Sequence, residues 1–193
     1  MTQAAEQYDA AIAAGIKLFT QKGYVNVSID DIVSCTGLNR YSIYSAFGTK
    51  ADFFKVCVRR YCATAVDSLQ RLVNDAKLSP REAARTNLYV AAEEMCDAQA
   101  GCLVCENMTE MMLIAPELAE HCRAYYAAKE KILGEFFARA SRAKRIPSDI
   151  DPDQAAAAFL VFKFGLSNEV KRSPDVAAIK KKIDAFISAM FRD

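Results

Sequence analysis

The side chains with the most reactive chemistry in this 193-residue chain are seven cysteines and a single histidine. Cys96, Cys102 and Cys105 lie close together, Cys122 follows, and His121 supplies the only imidazole. One Cys-x-x-Cys pair provides two zinc ligands where a structural site uses four, so the pattern does not support a metal. A thioredoxin-type use of that pair needs a βαβ setting, and the pattern around it is helical. A thiolate at a helix start gains from the amide dipoles, and Gly101-Cys102 stands where a helix should begin. Cys102 is therefore a candidate sensor thiol with Cys105 as its resolving partner; the competing account is a small, inert, buried residue. No Gly-x-Gly-x-x-Gly, P-loop, Gly-x-Ser-x-Gly or paired-His motif occurs. The chain reads as a non-enzyme without catalytic residues, metal or cofactor.

A second group of residues points to nucleic acid. Arg40, Tyr41, Ser42, Tyr44 and Ser45 follow Asn39 within a short segment, and Lys50 comes soon after. Arginine can pair with guanine in bidentate fashion, while Tyr and Ser bond to phosphates or bases. Residues 17–60 hold seven basic and three acidic side chains, although the whole chain is only +1. On charge alone, a solvated helical face explains this equally well.

The elements that must position these groups are helices. Gly and Pro number only 7 and 5, and 52% of residues are hydrophobic against 25% charged, which excludes wholesale disorder and disfavours an all-β fold. Four prolines sit at expected helix starts: Ser79-Pro80-Arg81-Glu82 and Asp151-Pro152-Asp153-Gln154 are capping boxes, Ser173-Pro174 offers a third start, and Pro116 a fourth. Tyr8, Ile12, Ile16 and Phe19 repeat at helical spacing before Gly23, and Val176, Ile179, Ile183, Phe186, Ile187 and Met190 form another stripe. The chain is predicted to be all-α, with nine helices over 4–22, 29–35, 40–46, 50–74, 80–98, 102–113, 117–143, 153–170 and 174–191. No apolar run approaches the ~18 residues of a membrane span, and the first residues do not resemble a signal peptide. A cytoplasmic protein with reduced thiols is expected.

Ser28 can cap the second helix with Asp31 as its reciprocal partner, Thr36-Gly37-Leu38 is a tight turn, and Asn39 can cap the third. Two helices this short are unstable alone and must pack on the longer first helix. This is a helix-turn-helix, with Ile43 and Phe47 inward and Arg40, Tyr41, Tyr44 and Ser45 outward. Residues 8–54 resemble the N-terminal domain of TetR-family transcriptional regulators. The resemblance rests on Leu18-Phe19…Lys22-Gly23-Tyr24, Ser28–Val33, Thr36-Gly37-Leu38, Ser42-Ile43-Tyr44, Phe47 and Lys50…Phe53. It implies a three-helix DNA-binding domain (1–50) and a larger helical effector-binding and dimerisation domain (51–193). It also implies a homodimer built by the last two helices on a palindromic double-stranded operator, and a small-molecule effector, most simply one that releases a repressor. Ser28, Tyr44 and Lys50 take the phosphate-contacting roles and Asn39–Ser42 the base-reading end. Tyr41 stands where a small residue is common, and Ala46 where many members place His. The stretch Gly-Cys-Leu-x-x-x-Asn-x-x-Glu (Gly101–Glu110) resembles a subset in which some members sense electrophiles through a cysteine.

In the body, Tyr89, Met108, Met112, Tyr125 and Phe162 are candidate effector contacts, because Met adapts to irregular cavities and Tyr adds a polar tip. Each is individually more often packing than ligand contact. Two readings stand beside the effector-released repressor: a thiol-sensing regulator using Cys102, and a helical interaction protein that does not touch DNA.

Overall fold

The computed structural model describes residues 3–192, and among these the chain forms nine α-helices and no strand. They are α1 (Gln3–Lys22), α2 (Ile29–Thr36), α3 (Arg40–Phe47), α4 (Lys50–Val73), α5 (Pro80–Ala98), α6 (Leu103–Ile114), α7 (Pro116–Arg142), α8 (Pro152–Arg172) and α9 (Val176–Met190). The chain divides into two compact units: residues up to Thr64 with Cys102–Cys122, and Ala65–Gly101 with the residues from Arg123 on.

In the first unit, Phe19 of α1 and Phe53 of α4 are fully buried, as are Ile32 of α2 and Ile43 of α3. Burying each such side chain is worth about 1.5–3 kcal/mol, enough to hold two eight-residue helices that would melt in isolation. Rings interlock around them: Phe19 and Phe54 lie 4.8 Å apart edge to face, and Phe47 meets Phe53 at 4.8 Å. Tyr8 ends the α1 stripe half in water, with its ring edge-on to Phe47 at 5.6 Å. Where α1 crosses α4, a Cβ on Gly15 would lie 2.6 Å from Phe53 Cζ and 2.8 Å from Cys57 Sγ. Only glycine permits that approach.

In the second unit, Leu88, Leu133, Phe137, Phe159, Ile179 and Ile183 form the core. Ser79 and Glu82 make the expected capping box on α5, and Asp151 caps α8 by accepting from the amides of Asp153 and Gln154. The start of α9 differs from the sequence expectation. Ser173 closes α8, and the cap of α9 is Asp175, whose Oδ1 accepts from Ala177 N at 2.9 Å and Ala178 N at 3.0 Å. A carboxylate at a helix N-terminus accepts two amides and meets the positive dipole end, so it outcompetes the Ser173 hydroxyl and leaves Pro174 in the connection. Among the described residues, no helix is long and apolar enough to cross a membrane.

Candidate nucleic-acid interface

The interface begins at the caps. Ser28 Oγ accepts from Asp31 N at 3.1 Å, while Asp31 Oδ2 accepts from Ser28 N at 2.8 Å and Ser28 Oγ at 2.6 Å. Lys22 Nζ adds a bond of 2.6 Å to the other oxygen. That ammonium, together with the two Ser28 bonds, holds the Asp31 carboxyl well below the usual carboxylate range. The turn closes through Gly37, left-handed at φ 69°, whose amide donates to Val33 O at 3.0 Å. Asn39 Oδ1 then accepts from Ser42 N at 2.8 Å and starts α3. Thr49 and Asp52 repeat the reciprocal pattern at the start of α4, with Thr49 Oγ1 donating to Asp52 Oδ2 at 2.6 Å.

With Ile43 fully buried, α3 turns its other face to solvent. Tyr41 is 82% exposed and Tyr44 48%, and Arg40 and Ser45 lie beside them in water, while Ser42 is half-buried. Arg40 Nη2 reaches back to Asp30 Oδ1 at 2.5 Å, both side chains being mostly exposed. An ion pair in water is worth only about 0–1 kcal/mol, so a guanine edge or phosphate can displace Asp30. Several other basic residues of the segment are paired within the first unit: Lys22 with Asp31, Lys55 with Glu117 at 2.9 Å, and Arg60 with Asp9 at 2.8 Å. Glu117 and Asp9, which lie outside residues 17–60, thus offset half of that segment's excess of four basic charges.

Lys50 has a fuller role than the sequence suggests. Its ammonium donates to Tyr24 O at 2.9 Å and Val27 O at 2.6 Å, and it lies 4.2 Å from the Tyr24 ring centroid. Two of its three donors thus tie the α1–α2 loop to α4, which leaves the third and the charge for a phosphate. Tyr24 and Asp30, the partners of Lys50 and Arg40, were not identified from sequence. Both contacts arise only once the helices pack, although Tyr24 stands out as an aromatic residue in a loop.

The candidate effector residues are dispersed. Met108 and Met112 belong to the first unit, with Met112 largely exposed. In the second, the Tyr89 hydroxyl donates to Asp184 Oδ1 at 2.6 Å and Phe162 stacks on Phe186 at 3.9 Å. Tyr125 is buried, and its hydroxyl accepts from Lys129 Nζ at 3.1 Å. Lys129, only 4% exposed, is a buried polar residue that sequence reading missed; its spacing of four from Tyr125 was the available signal. An open groove of about 550 Å³ between α7 and α8 is lined by Glu130, Lys131, Gly134 and Asp153 among others, and a second of about 260 Å³ runs along the 73–80 segment. None of the five candidates lines either groove.

Cys102 is the N-cap of α6 and makes no side-chain cap bond. It is half-buried, and its sulfur accepts from the Tyr61 hydroxyl at 3.3 Å; Cys105, one turn into the helix, is also half-buried. Burial pushes the Cys57 thiol far up, whereas a bond from Cys62 holds the buried Cys122 thiol below its ordinary value. His121 Nε2 is buried without a hydrogen-bond partner, so it activates no thiol through that atom. Among the described residues, no group of three His, Cys, Asp or Glu side chains could hold a metal.

A capped two-helix hairpin packed on a longer helix, with Arg, Tyr and Ser on the open face of its second member, defines a helix-turn-helix DNA-binding protein. Residues 11–57 match the family model described as bacterial regulatory proteins, tetR family. The chain is 26% identical over 156 residues to the transcriptional regulator AcuR of Cereibacter sphaeroides, covering 80% of this chain and 71% of that one. It is 28% identical over 149 residues to the transcriptional repressor ComR of Escherichia coli, covering 74% and 69% respectively. Among solved structures, a regulatory protein TetR from Rhodobacter sphaeroides superposes with a TM-score of 0.85 at 24% identity, over 96% of this chain and 98% of that one. A cysteine mutant of the TetR-family regulator CifR, complexed with 26-base-pair double-strand operator DNA, superposes with a TM-score of 0.76 at 20% identity, over 94% and 95%. Residues 11–57 are thus the DNA-binding domain of the TetR family of transcriptional regulators, which is not an enzyme family.

Proposed function

We propose that this regulator is a homodimeric repressor that binds a palindromic operator and leaves it when a small effector binds the helical body. The observation that supports it most is the α3 face, where Arg40, Tyr41, Tyr44 and Ser45 stand in water behind a helix start capped by Asn39. In this reading residues 1–50 read DNA and residues 51–193 bind effector and partner. Ser28, Tyr44 and Lys50 hold phosphates and set the register, while Asn39, Arg40, Tyr41 and Ser42 meet base edges. Tyr89, Met108, Met112, Tyr125 and Phe162 stay as candidate effector contacts. Fluorescence anisotropy with duplexes from the flanks of its own gene tests the repressor reading. Sequence-preferring binding that weakens with salt and is reversed by an effector supports it; equal binding to every duplex, or none, overturns it.

The bond from Tyr61 to Cys102 favours a second, thiol-based reading of the release step, because a hydroxyl donated to sulfur stabilises the thiolate. An electrophile adduct on Cys102, or a disulfide to Cys105 formed by a peroxide that takes the two electrons and two protons and leaves as water, would then replace the effector. Mild electrophile treatment should modify Cys102 first and abolish DNA binding in wild type but not in Cys102→Ser. Uniform labelling, or equal loss in both proteins, would return Cys102 to the core.

A further inference from the structure

In the run Gly101–Glu110 the cysteine draws attention in the sequence, but the asparagine and the glutamate make the telling contacts. Asn107 is fully buried, one of three buried polar or charged residues among those described. Its Oδ1 accepts from Tyr24 N at 2.8 Å, and its Nδ2 donates to Phe19 O at 3.3 Å and Leu103 O at 2.9 Å. One turn further along α6, Glu110 Oε2 accepts from Val25 N at 3.2 Å. These groups meet the α1–α2 loop just after Gly23, which is left-handed at φ 73° and turns the following amides toward α6. From α4, Lys50 holds the carbonyls of Tyr24 and Val27. Side chains from two helices thus hold two amides and two carbonyls of a six-residue loop.

A loop of this kind on a surface would normally be solvated by water, so fixing its peptide groups with protein side chains needs a reason. The chemistry is also selective. Asparagine alone among residues of its size accepts from one amide and donates to two carbonyls at once; aspartate cannot donate and leucine can do neither. The loop ends at Val27-Ser28, where Ser28 caps α2, and α2 carries Asp30, the partner of Arg40.

We propose that Asn107 and Glu110 are positioning residues for operator recognition: through the α1–α2 loop, they set the place at which the helix-turn-helix enters. The proposal rests on the reading that α3 contacts DNA. Glu110 makes it testable because position and charge predict opposite signs. A carboxylate near the DNA-facing head repels phosphate, so a purely electrostatic role predicts tighter binding in both Glu110→Ala and Glu110→Gln. A positioning role predicts that Glu110→Gln, whose amide oxygen still accepts from Val25 N, stays close to wild type. Glu110→Ala should lose about fivefold to tenfold in affinity, the size of one hydrogen bond.

The probe is the duplex that wild-type protein selects from a randomised pool, with an unrelated duplex as control. Amide hydrogen exchange at Tyr24 and Val25 is followed in the DNA-free full-length protein. Expected are faster Val25 exchange in Glu110→Ala, faster Tyr24 exchange in Asn107→Ala, and loss of affinity for the selected duplex but not for the control. If Asn107→Ala does not fold, the Glu110 pair carries the test alone. Unchanged Val25 exchange in Glu110→Ala, or equal affinity of both Glu110 variants for the selected duplex, overturns the proposal. Should wild type select no duplex, the DNA reading fails while the exchange data still decide whether the latch exists.

Discussion

At the residue scale, Arg40 and Lys50 separate reading from positioning. Arg40 stands on the open face of α3 and is restrained only by an exposed pair with Asp30. Arg40→Ala should relax preference at one base pair per half-site, costing about 1–3 kcal/mol there, while other positions keep their discrimination. Binding to a panel of single-base operator variants checks this, and uniform weakening across the panel would remove Arg40 from base readout. Asp30 competes with DNA for the same guanidinium and adds a negative charge beside the phosphates. Asp30→Asn should therefore tighten binding, by no more than the roughly 1 kcal/mol of an exposed pair. Lys50→Ala should weaken binding to every sequence and flatten the salt dependence by about one ion. Because Lys50 also holds the carbonyls of Tyr24 and Val27, the same variant should melt at lower temperature without DNA. A phosphate contact alone would leave that melting point unchanged.

At the element scale, the short helices depend on their caps and on close crossings. The Asp31 carboxyl is lowered in the folded protein by Lys22 and then by Ser28. A depressed carboxylate contributes stability that is complete above its unfolded value of about 4 and is lost as pH falls toward the folded one. The melting temperature of wild type should therefore fall more steeply below pH 4 than that of Asp31→Asn, which lacks the contribution throughout; parallel curves would count against it. At the α1–α4 crossing, Gly15→Ala pushes a methyl into Phe53 and Cys57 and should destabilise by about 1–3 kcal/mol in denaturant unfolding. The caps were legible in the sequence because they are local: Ser28 with Asp31, Asn39 with Ser42, and Ser79 with Glu82 lie within one turn. Ser173-Pro174 misled because a stronger acceptor, Asp175, sits two residues on. The exposed face of α3 was legible from helical period, whereas the partners of Lys50 and, Leu103 apart, those of Asn107 are 23 to 88 residues away and exist only in the packed head. The effector contacts were illegible for a different reason: Met and aromatic residues at helical spacing look the same whether they line a cavity or fill a core. Here Tyr89, Phe162 and Tyr125 are each engaged by a neighbouring side chain.

At the scale of the whole molecule, the outstanding question is what lies against α8 and α9. Their inner faces are buried, with Phe159, Leu160, Ile183 and Ile187 in the core of the second unit. On α8, Val161 is 68% exposed, next to Phe162, whose ring stacks on Phe186 of α9 at 3.9 Å and is only partly covered. A single exposed valine needs no explanation, but one beside a stacked aromatic pair bridging two helices suits a two-fold interface, which uses the same patch twice. Stable dimers bury about 800 Å² per partner, a requirement that two helices of 21 and 15 residues can meet. Val161→Asp would place a charge in that interface while leaving the buried residues untouched. Its monomer should melt as a folded helical protein, and sedimentation velocity at micromolar concentration should show wild type as a dimer and the variant as a monomer. Operator binding should fall by about 10²–10⁴, because two linked heads engage two half-sites with an advantage that separate heads lack. A single half-site duplex should bind both proteins within a few-fold of each other. If the variant remains dimeric, or wild type is itself a monomer on the full operator, the interface does not lie at Val161 and the palindromic reading loses its structural basis.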